Sequence, residues 1–314
     1  MTNRYLLAVD GGATKTTMTI RTTEGRELFS ATSTSSNYQT VGIEHVQHVF
    51  TGLLRSAAAH LPKLHMDVAV FAVAGVDTEQ DKKIVEKIIE ESTARSPFTF
   101  GHIIVENDAE ATVKGLGENN VSLLISGTGA LCYSVIDHNA TRTGGWGHRI
   151  GDEGSGYWIG KHIAKAIFRA ADGRNEKTAL TELVLQGHNV TSTDQLYNFI
   201  YSSDYTNARL AELGTYLQQA VDQHDAVAQK IAERTAKELV LLVTTALKNA
   251  GYNNDAHTLF LNGGVLKNNR CVRDVIIQSL NETHPNLSIQ LCEEKPLEAI
   301  FKRSVNELQR IKLN

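Results

Sequence analysis

Residues 6–20 read LLAVDGGATKTTMTI: an apolar run, the carboxylate of Asp10, Gly11 and Gly12, then Thr14 and Lys15, then a β-branched run. These are the materials of a phosphate cradle. Glycine lets backbone come close to an anion, and N–H groups with a hydroxyl supply the donors. A Walker loop requires GxxxxGK[ST] and a following helix. Thr16–Ile20 is β-branched instead, which favours a strand. The glycines are therefore expected at a hairpin turn, with Gly12 and the Thr14 hydroxyl facing phosphate oxygens. Asp10, at the strand end, is placed to hold Mg²⁺ through its water shell. Lys15 either joins the phosphate or points to solvent. The same residues also suit an ordinary hairpin turn with no ligand.

Three more stretches carry candidate chemistry. SGTGA (Ser126–Ala130) is a second glycine turn after a buried strand, with Thr128 and Gly129 at its tip. Two such turns suit two loops on successive phosphates of one nucleotide. LFLNGGVLKNN ends a strand in Gly263 and Gly264, where a purine could lie on bare backbone, although a plain strand-to-helix turn reads the same way. In IIVENDAEA, Asp108 follows a buried strand and opens a helix. It is either a carboxylate at a sheet edge or a helix cap, and Asn107 is an equally good cap. Glu106 and Glu110 could flank such a site.

Around these residues the periodicity predicts strands at 5–9, 16–21 and 27–30, then a helix carrying Ile43, Val46, Val49, Phe50, Leu53 and Leu54. DVAVFAV reads as a buried strand, Ile84, Val85, Ile88 and Ile89 as a helical stripe, and HIIVE as a strand. The pattern then restarts with VSLLISGTGALCYSVID and TRTGG, a helix at about 156–171 capped by Ser155, and helical sequence to about 248. Trp158, Ile159, Ile163, Ile167 and Phe168 read as core, as does the stripe from Ile231 to Ala246. TLFLNGG, a helix, SIQL and a final helix close the chain. The expectation is α/β: two copies of one hairpin-led unit, with their glycine turns opposed across a cleft. Residues 1–118 form the first domain and 119–296 the second, with a helix at about 297–314 packing back on the first.

Bulk composition narrows the field. A net charge of −4 over 314 residues, with 41% hydrophobic and 21% charged residues, argues against disorder and gives no case for nucleic acid or an anionic membrane. No apolar run approaches the ~18–20 residues of a membrane span. Cys132, Cys271 and Cys292 lie far apart, and the 12 histidines show no metal spacing, so the histidines read as surface or satisfied interior residues. The N-terminal run meets Asp10 too soon for a signal peptide, so a cytoplasmic location is expected.

The order DGGATKT, ENDAEA, SGTGA, LNGGV resembles the sugar kinase/Hsp70/actin superfamily along essentially the whole chain. GGWGHRIGDEGSGYWIG (Gly144–Gly160), with SSNYQTVG nearer the front, resembles the N-acetylglucosamine kinase branch, which is related to ATPases that activate benzoyl-CoA reductase. The resemblance implies two ribonuclease H-like domains of duplicated actin-like ATPase topology. It implies ATP and Mg²⁺ as cofactors and the 6-hydroxyl of an amino sugar as acceptor, in the chemistry of cell-wall sugar recycling. The sugar is N-acetylglucosamine, with N-acetylmuramic acid or glucosamine as alternatives. Asp108 becomes the general base, and Asn37, Gly145, Trp146, Gly147 and Asp152 join it around the sugar. Ala211 becomes an adenine neighbour beside Gly263 and Gly264.

Domain closure and a homodimer are further expectations of the branch. An ATPase driving a partner redox enzyme would use cysteines at a dimer interface, and the cysteine spacing here gives no such pattern. A sugar-responsive regulator on the same scaffold would need a DNA-reading helix-turn-helix, for which the first strand, starting within about five residues of Met1, leaves no room. Two positions depart from the pattern: Ala13, where a third glycine often occurs, and Glu298, where a glycine usually precedes the alanine.

Overall fold

Leu6, Leu7, Ala8 and Val9 are all fully buried, which is what a strand covered on both faces requires. The computed structural model describes residues 4–313 and makes this run β1 (Tyr5–Gly11); expectations touching 1–3 and 314 lie outside the described residues. Around it stand β2 (Lys15–Thr22), β3 (Glu27–Thr34), β4 (His65–Val73) and β5 (Thr99–Glu106), in the order β3-β2-β1-β4-β5. β1, β2 and β3 are antiparallel neighbours, whereas β4 and β5 run parallel to β1. The helices are α1 (Tyr38–Val41), α2 (Ile43–His60), α3 (Glu79–Ala94), α4 (Asp108–Leu116) and, from the C-terminus, α13 (Pro296–Leu313).

Side-chain alternation divides β1 between two cores. Leu7 and Val9 pack with Val46, Phe50, Leu54, Val85 and Ile89 of α2 and α3. Leu6 and Ala8 pack with Ala111 of α4 and Ile300, Phe301 and Leu308 of α13. Residues up to Asn119 and those from Glu293 accordingly form one compact unit, and Asn120–Cys292 the other.

The α4–α13 seam is both charged and tight. Glu106, 6% exposed, accepts from Lys114 Nζ at 2.8 Å and from an Arg303 terminal nitrogen at 3.0 Å. Arg303 also pairs with buried Glu307 at 2.8 Å. Burial pushes the Glu106 carboxyl up, but Lys114 and Arg303 outweigh it and hold it below the usual range. Glu110 pairs with the same lysine, so neither glutamate that flanks Asp108 is free for chemistry. Glu298, where the branch favours glycine, receives both terminal nitrogens of Arg21, at 2.6 and 2.7 Å.

The second unit repeats the first strand for strand. Its sheet, β10-β9-β6-β7-β8, comprises β6 (Val121–Ser126), β7 (Ala130–Ile136), β8 (Asn139–Gly144), β9 (His257–Asn262) and β10 (Leu287–Leu291). The first three strands are antiparallel neighbours, and β9 and β10 run parallel to β6. The helices are α5 (Gly156–Ala171), α6 (Ala179–Gly187), α7 (Thr193–Ile200), α8 (Asn207–Ala211), α9 (Leu217–Asp222), α10 (Ala226–Asn249), α11 (Gly264–Asn268) and α12 (Arg270–Thr283). The expected fold class, α/β with a duplicated actin-like topology, is what the chain adopts.

One reading of the histidines needs correcting. His257 is buried, and its Nε2 meets Ser122 Oγ at 2.7 Å, but its Nδ1 has no partner. Burial takes its pKa down to about 4; a neutral ring tolerates one unused nitrogen where an imidazolium would not. Among the described residues no helix is long and apolar enough to cross a membrane.

Gly115 tests the α4–α13 seam. A Cβ there would overlap the Ala299 carbonyl oxygen, backbone against backbone. Gly115→Ala is expected to cost about 1–3 kcal/mol, read as a lower urea midpoint with an unchanged m-value.

Candidate active site

Because β1, β4 and β5 are parallel, their C-terminal ends meet one edge of the first sheet, as do the turns that follow them. At the end of β1 the Gly12 N–H donates to the Lys15 carbonyl at 2.9 Å and closes the expected hairpin. Ala13, Thr14 and Lys15 are left exposed. Gly11 is buried, and a Cβ there would overlap Ser36 Oγ and lie 3.0 Å from the Ala72 carbonyl. Ser35 Oγ donates to the Gly12 carbonyl at 3.3 Å. The turn is thus fastened to the segment that ends at Asn37.

Asn37 caps α1 by accepting from the Gln39 N–H at 3.1 Å. It also lies against Gly75, whose φ of +87° suits glycine, and a Cβ on Gly75 would sit 2.5 Å from Asn37 Oδ1. Asn37 and the loop after β4 therefore interlock. The far end of that loop is fixed by a capping box, with the Thr78 N–H donating to Asp81 at 2.8 Å and the Tyr38 hydroxyl to the same carboxylate.

The two acidic candidates differ in kind. Asn107 caps α4, accepting from the Ala109 N–H at 2.9 Å, and its amide donates to Asp77 Oδ1 at 3.3 Å. Asp108 accepts the same Ala109 N–H at 3.0 Å, so the cap does not depend on it. Burial pushes Asp108 up to about 6; the Ala109 bond opposes this, and the charges of Asp10 and Asp77 add to it. Asp10 is raised as well, by burial, with Lys15 pulling it back. Asp77 is the residue that sequence reasoning missed. Its signal was slight: it directly precedes the Thr78-x-x-Asp81 box.

In the second unit the candidates gather on the β6–β7 turn. The Gly127 N–H donates to the Gly129 carbonyl at 2.9 Å, and the Gly127 carbonyl receives the Gly156 N–H at 2.7 Å. This ties the start of α5, capped by Ser155, to the turn. Gly263, at φ +101°, presses so closely that a Cβ would overlap the Ser126 carbonyl. A Cβ on Gly156 would lie 3.3 Å from Ala211 Cβ. Gly263 thus stands against this turn directly and Ala211 through Gly156, while Thr128 at the tip is exposed.

Between β8 and α5, the Gly144–Gly160 block is built on left-handed backbone. Gly144, Gly145, Gly147 and Gly154 all have positive φ, and so does Asp152 at 62°, which is uncommon for a residue with a Cβ. The Ala130 N–H donates to Asp152 Oδ1 at 3.2 Å, and the Gly145 N–H donates to the Ala130 carbonyl at 2.9 Å. A Cβ on Gly129 would lie 3.1 Å from the Asp152 carboxylate, so that glycine makes room for the acid. Burial raises Asp152, against the Ala130 bond. Trp146 is 63% exposed, with the Arg142 guanidinium 4.6 Å from its ring centroid. Trp158 packs instead against the helical core, partly buried.

Residues 7–292 match the BadF/BadG/BcrA/BcrD ATPase family. An N-acetylmuramic acid/N-acetylglucosamine kinase of Clostridium acetobutylicum is 34% identical over 290 residues, which cover 91% of this chain and 93% of that one. An N-acetyl-D-glucosamine kinase of Dictyostelium discoideum is 25% identical, covering 92% and 94%. A solved Chromobacterium violaceum structure superposes with a TM-score of 0.69 at 21% identity, over 96% of this chain and 99% of that one, a likeness of fold. On the extent of the family match and the identity to the clostridial relative, the chain belongs to the BadF/BadG/BcrA/BcrD ATPase family.

Proposed function

We propose that this chain is an ATP-dependent kinase that phosphorylates the 6-hydroxyl of an amino sugar, N-acetylglucosamine in the first place. The observation that carries the reading is Asp108: a carboxylate raised to about 6, at the sheet edge that also carries the glycine turn and Asn37. Phosphoryl transfer to a hydroxyl needs bound phosphates, neutralised charge and a proton acceptor. Asp108 takes the proton from the attacking hydroxyl, and a value near 6 leaves it ionised yet basic at neutral pH. Gly12 and Gly129 with the Thr14 and Thr128 hydroxyls hold phosphate oxygens, and Lys15 adds its ammonium. Ala211, Gly263 and Gly264 flank the base.

Asn37, Gly145, Trp146, Gly147 and Asp152 select the sugar, the carboxylate of Asp152 accepting from ring hydroxyls. Asp10 fits a hydrated Mg²⁺: its carboxylate, raised by burial, stands beside a glycine turn, and Lys15 only partly offsets it. The metal supplies charge neutralisation when bound. The named activities of the clostridial and Dictyostelium relatives support an N-acetylated sugar as acceptor, with N-acetylmuramic acid and glucosamine as the alternatives. A cytoplasmic homodimer serving cell-wall sugar recycling completes the reading. Burial pushes the Cys132 thiol up to about 12, which suits packing better than the cluster ligation of a redox activator.

Coupled ADP release measured on N-acetylglucosamine, N-acetylmuramic acid, glucosamine and glucose tests the reading. N-acetylglucosamine should be turned over fastest, and no release with any sugar would remove the kinase assignment. Asp108→Asn should lower kcat at least about 100-fold with nucleotide binding retained. Near-normal turnover would dismiss Asp108 as the base.

The same variant has a stability signature. The folded pKa of Asp108 lies above its ordinary 3.8, so its protonation favours the fold. That contribution is full below the ordinary value and lost as pH rises through about 6. At neutral pH the ionised group costs stability, and Asp108→Asn should raise Tm while abolishing turnover.

In pH profiles, kcat/KM for the sugar should fall on the acid side with an apparent pKa near 6. The charge of Asp77 raises Asp108, so Asp77→Asn should move that limb to lower pH; a limb that stays or moves up would contradict the coupling.

A further inference from the structure

A second charged site lies in the Asn120–Cys292 unit, toward the other end of α5 from the glycine turn. The C-terminal half of α5, the turn after it and the N-terminal half of α10 line an open cavity of about 750 Å³. Such a volume is in the range of small-molecule sites. Lys165 and Arg169 stand one turn apart on α5, and Lys230 and Arg234 one turn apart on α10. Like charges at this spacing repel, and here two such pairs line one cavity.

Compensation is sparse. Arg174, also on the lining, is paired with Asp172, and Arg169 Nε donates to the neutral Asn175 at 3.1 Å. Arg234 lies over the Trp158 ring, 5.6 Å from its centroid, which leaves its N–H groups open. Among the described residues no carboxylate is ion-paired to Lys165, Lys230 or Arg234. Glu176 is the one acidic residue on the lining, against five cations, in a chain with 35 acidic and 31 basic residues. His162, on the same wall, is held below its usual pKa mainly by burial, against its hydrogen bond with the Trp158 carbonyl, with smaller contributions from Arg234 and Lys165. Ala166, Val227 and Ile231 add an apolar wall.

We infer that this cavity binds a small organic phosphate. Its phosphoryl group sits among Lys165, Lys230 and Arg234, and its carbon skeleton lies along Ala166 and Ile231. Guanidinium meets phosphate oxygens in pairs, and the two ammonium groups supply point charge around them. An apolar wall beside the cations favours an organic ester over the free anion. The assignment is independent of the kinase reading, because it uses none of the residues given roles there.

The test uses the full chain without nucleotide or acceptor sugar. The chain has two tryptophans, so Trp146→Phe leaves Trp158, under Arg234, as the only one. Its fluorescence is followed while glucose 6-phosphate, inorganic phosphate and, at matched ionic strength, sodium chloride are titrated in turn. The expected result is a saturable change with glucose 6-phosphate, half-complete at about 1 mM or below, weaker with inorganic phosphate and absent with chloride. Lys165→Gln combined with Lys230→Gln should weaken it at least about tenfold. That variant should also hold or raise Tm, because like-charge repulsion is relieved.

Inorganic phosphate binding as tightly as the ester would overturn the organic assignment. A response that tracks ionic strength alone, or that survives the double substitution, would overturn the site. Loss of sugar phosphorylation in Asp108→Asn with this binding intact separates the failure of one reading from the failure of the other.

Discussion

β1, β4 and β5 leave the first sheet at a common edge because they run parallel, and the chain must change direction there three times. Asp10, Asp77 and Asp108 all fall at or just beyond those exits. Each carboxylate would be solvated in an unfolded chain. Brought to one edge, Asp10 and Asp108 are raised first by burial, and at Asp108 the charges of Asp10 and Asp77 add to the rise. A carboxyl raised to about 6 follows from burial at an edge that strand direction sets. The second sheet repeats the topology, so the turn after β6 and the end of β9 meet in the same way around Gly127 and Gly263.

Two acids on either side of Asn107 show how differently the fold treats charge. Glu106 is nearly buried, yet Lys114 and Arg303 surround it, and it stays ionised as part of the α4–α13 seam. Among the described residues Asp108 has no cation beside it, only backbone N–H groups such as that of Ala109, and it faces two neighbouring negative charges. A paired buried carboxylate is structure; an unpaired one at an edge is held at a cost that packing elsewhere must cover. The cap that Asn107 supplies is what releases Asp108 from a structural duty.

The glycines act through excluded volume. Gly11, Gly75, Gly129 and Gly263 each stand where a Cβ would press on backbone or on a polar side chain that belongs to the candidate site. Gly129 leaves room for Asp152, and Gly75 for Asn37. The loop from Gly144 to Gly154 stores left-handed conformations, including one at Asp152 itself, which over-determined surroundings hold in place.

Periodicity, the glycine turns and the motif block made the strands, the duplicated topology, the candidate residues and the Ser155 cap legible in the sequence, because each depends on neighbours a few residues away. The first three strands ran one to four residues further at an end than expected, since ladder pairing continues into polar positions such as Thr32–Thr34. What only the tertiary structure decided are relations between distant residues. Arg303 answers Glu106 across 197 residues, Arg21 gives Glu298 its purpose, Asp77 joins Asp108 from the loop after β4, and α5 and α10 line a basic cavity. Sequence records which charges exist. Which of them meet, and which are left without a partner, depends on a fold that brings together residues far apart along the chain.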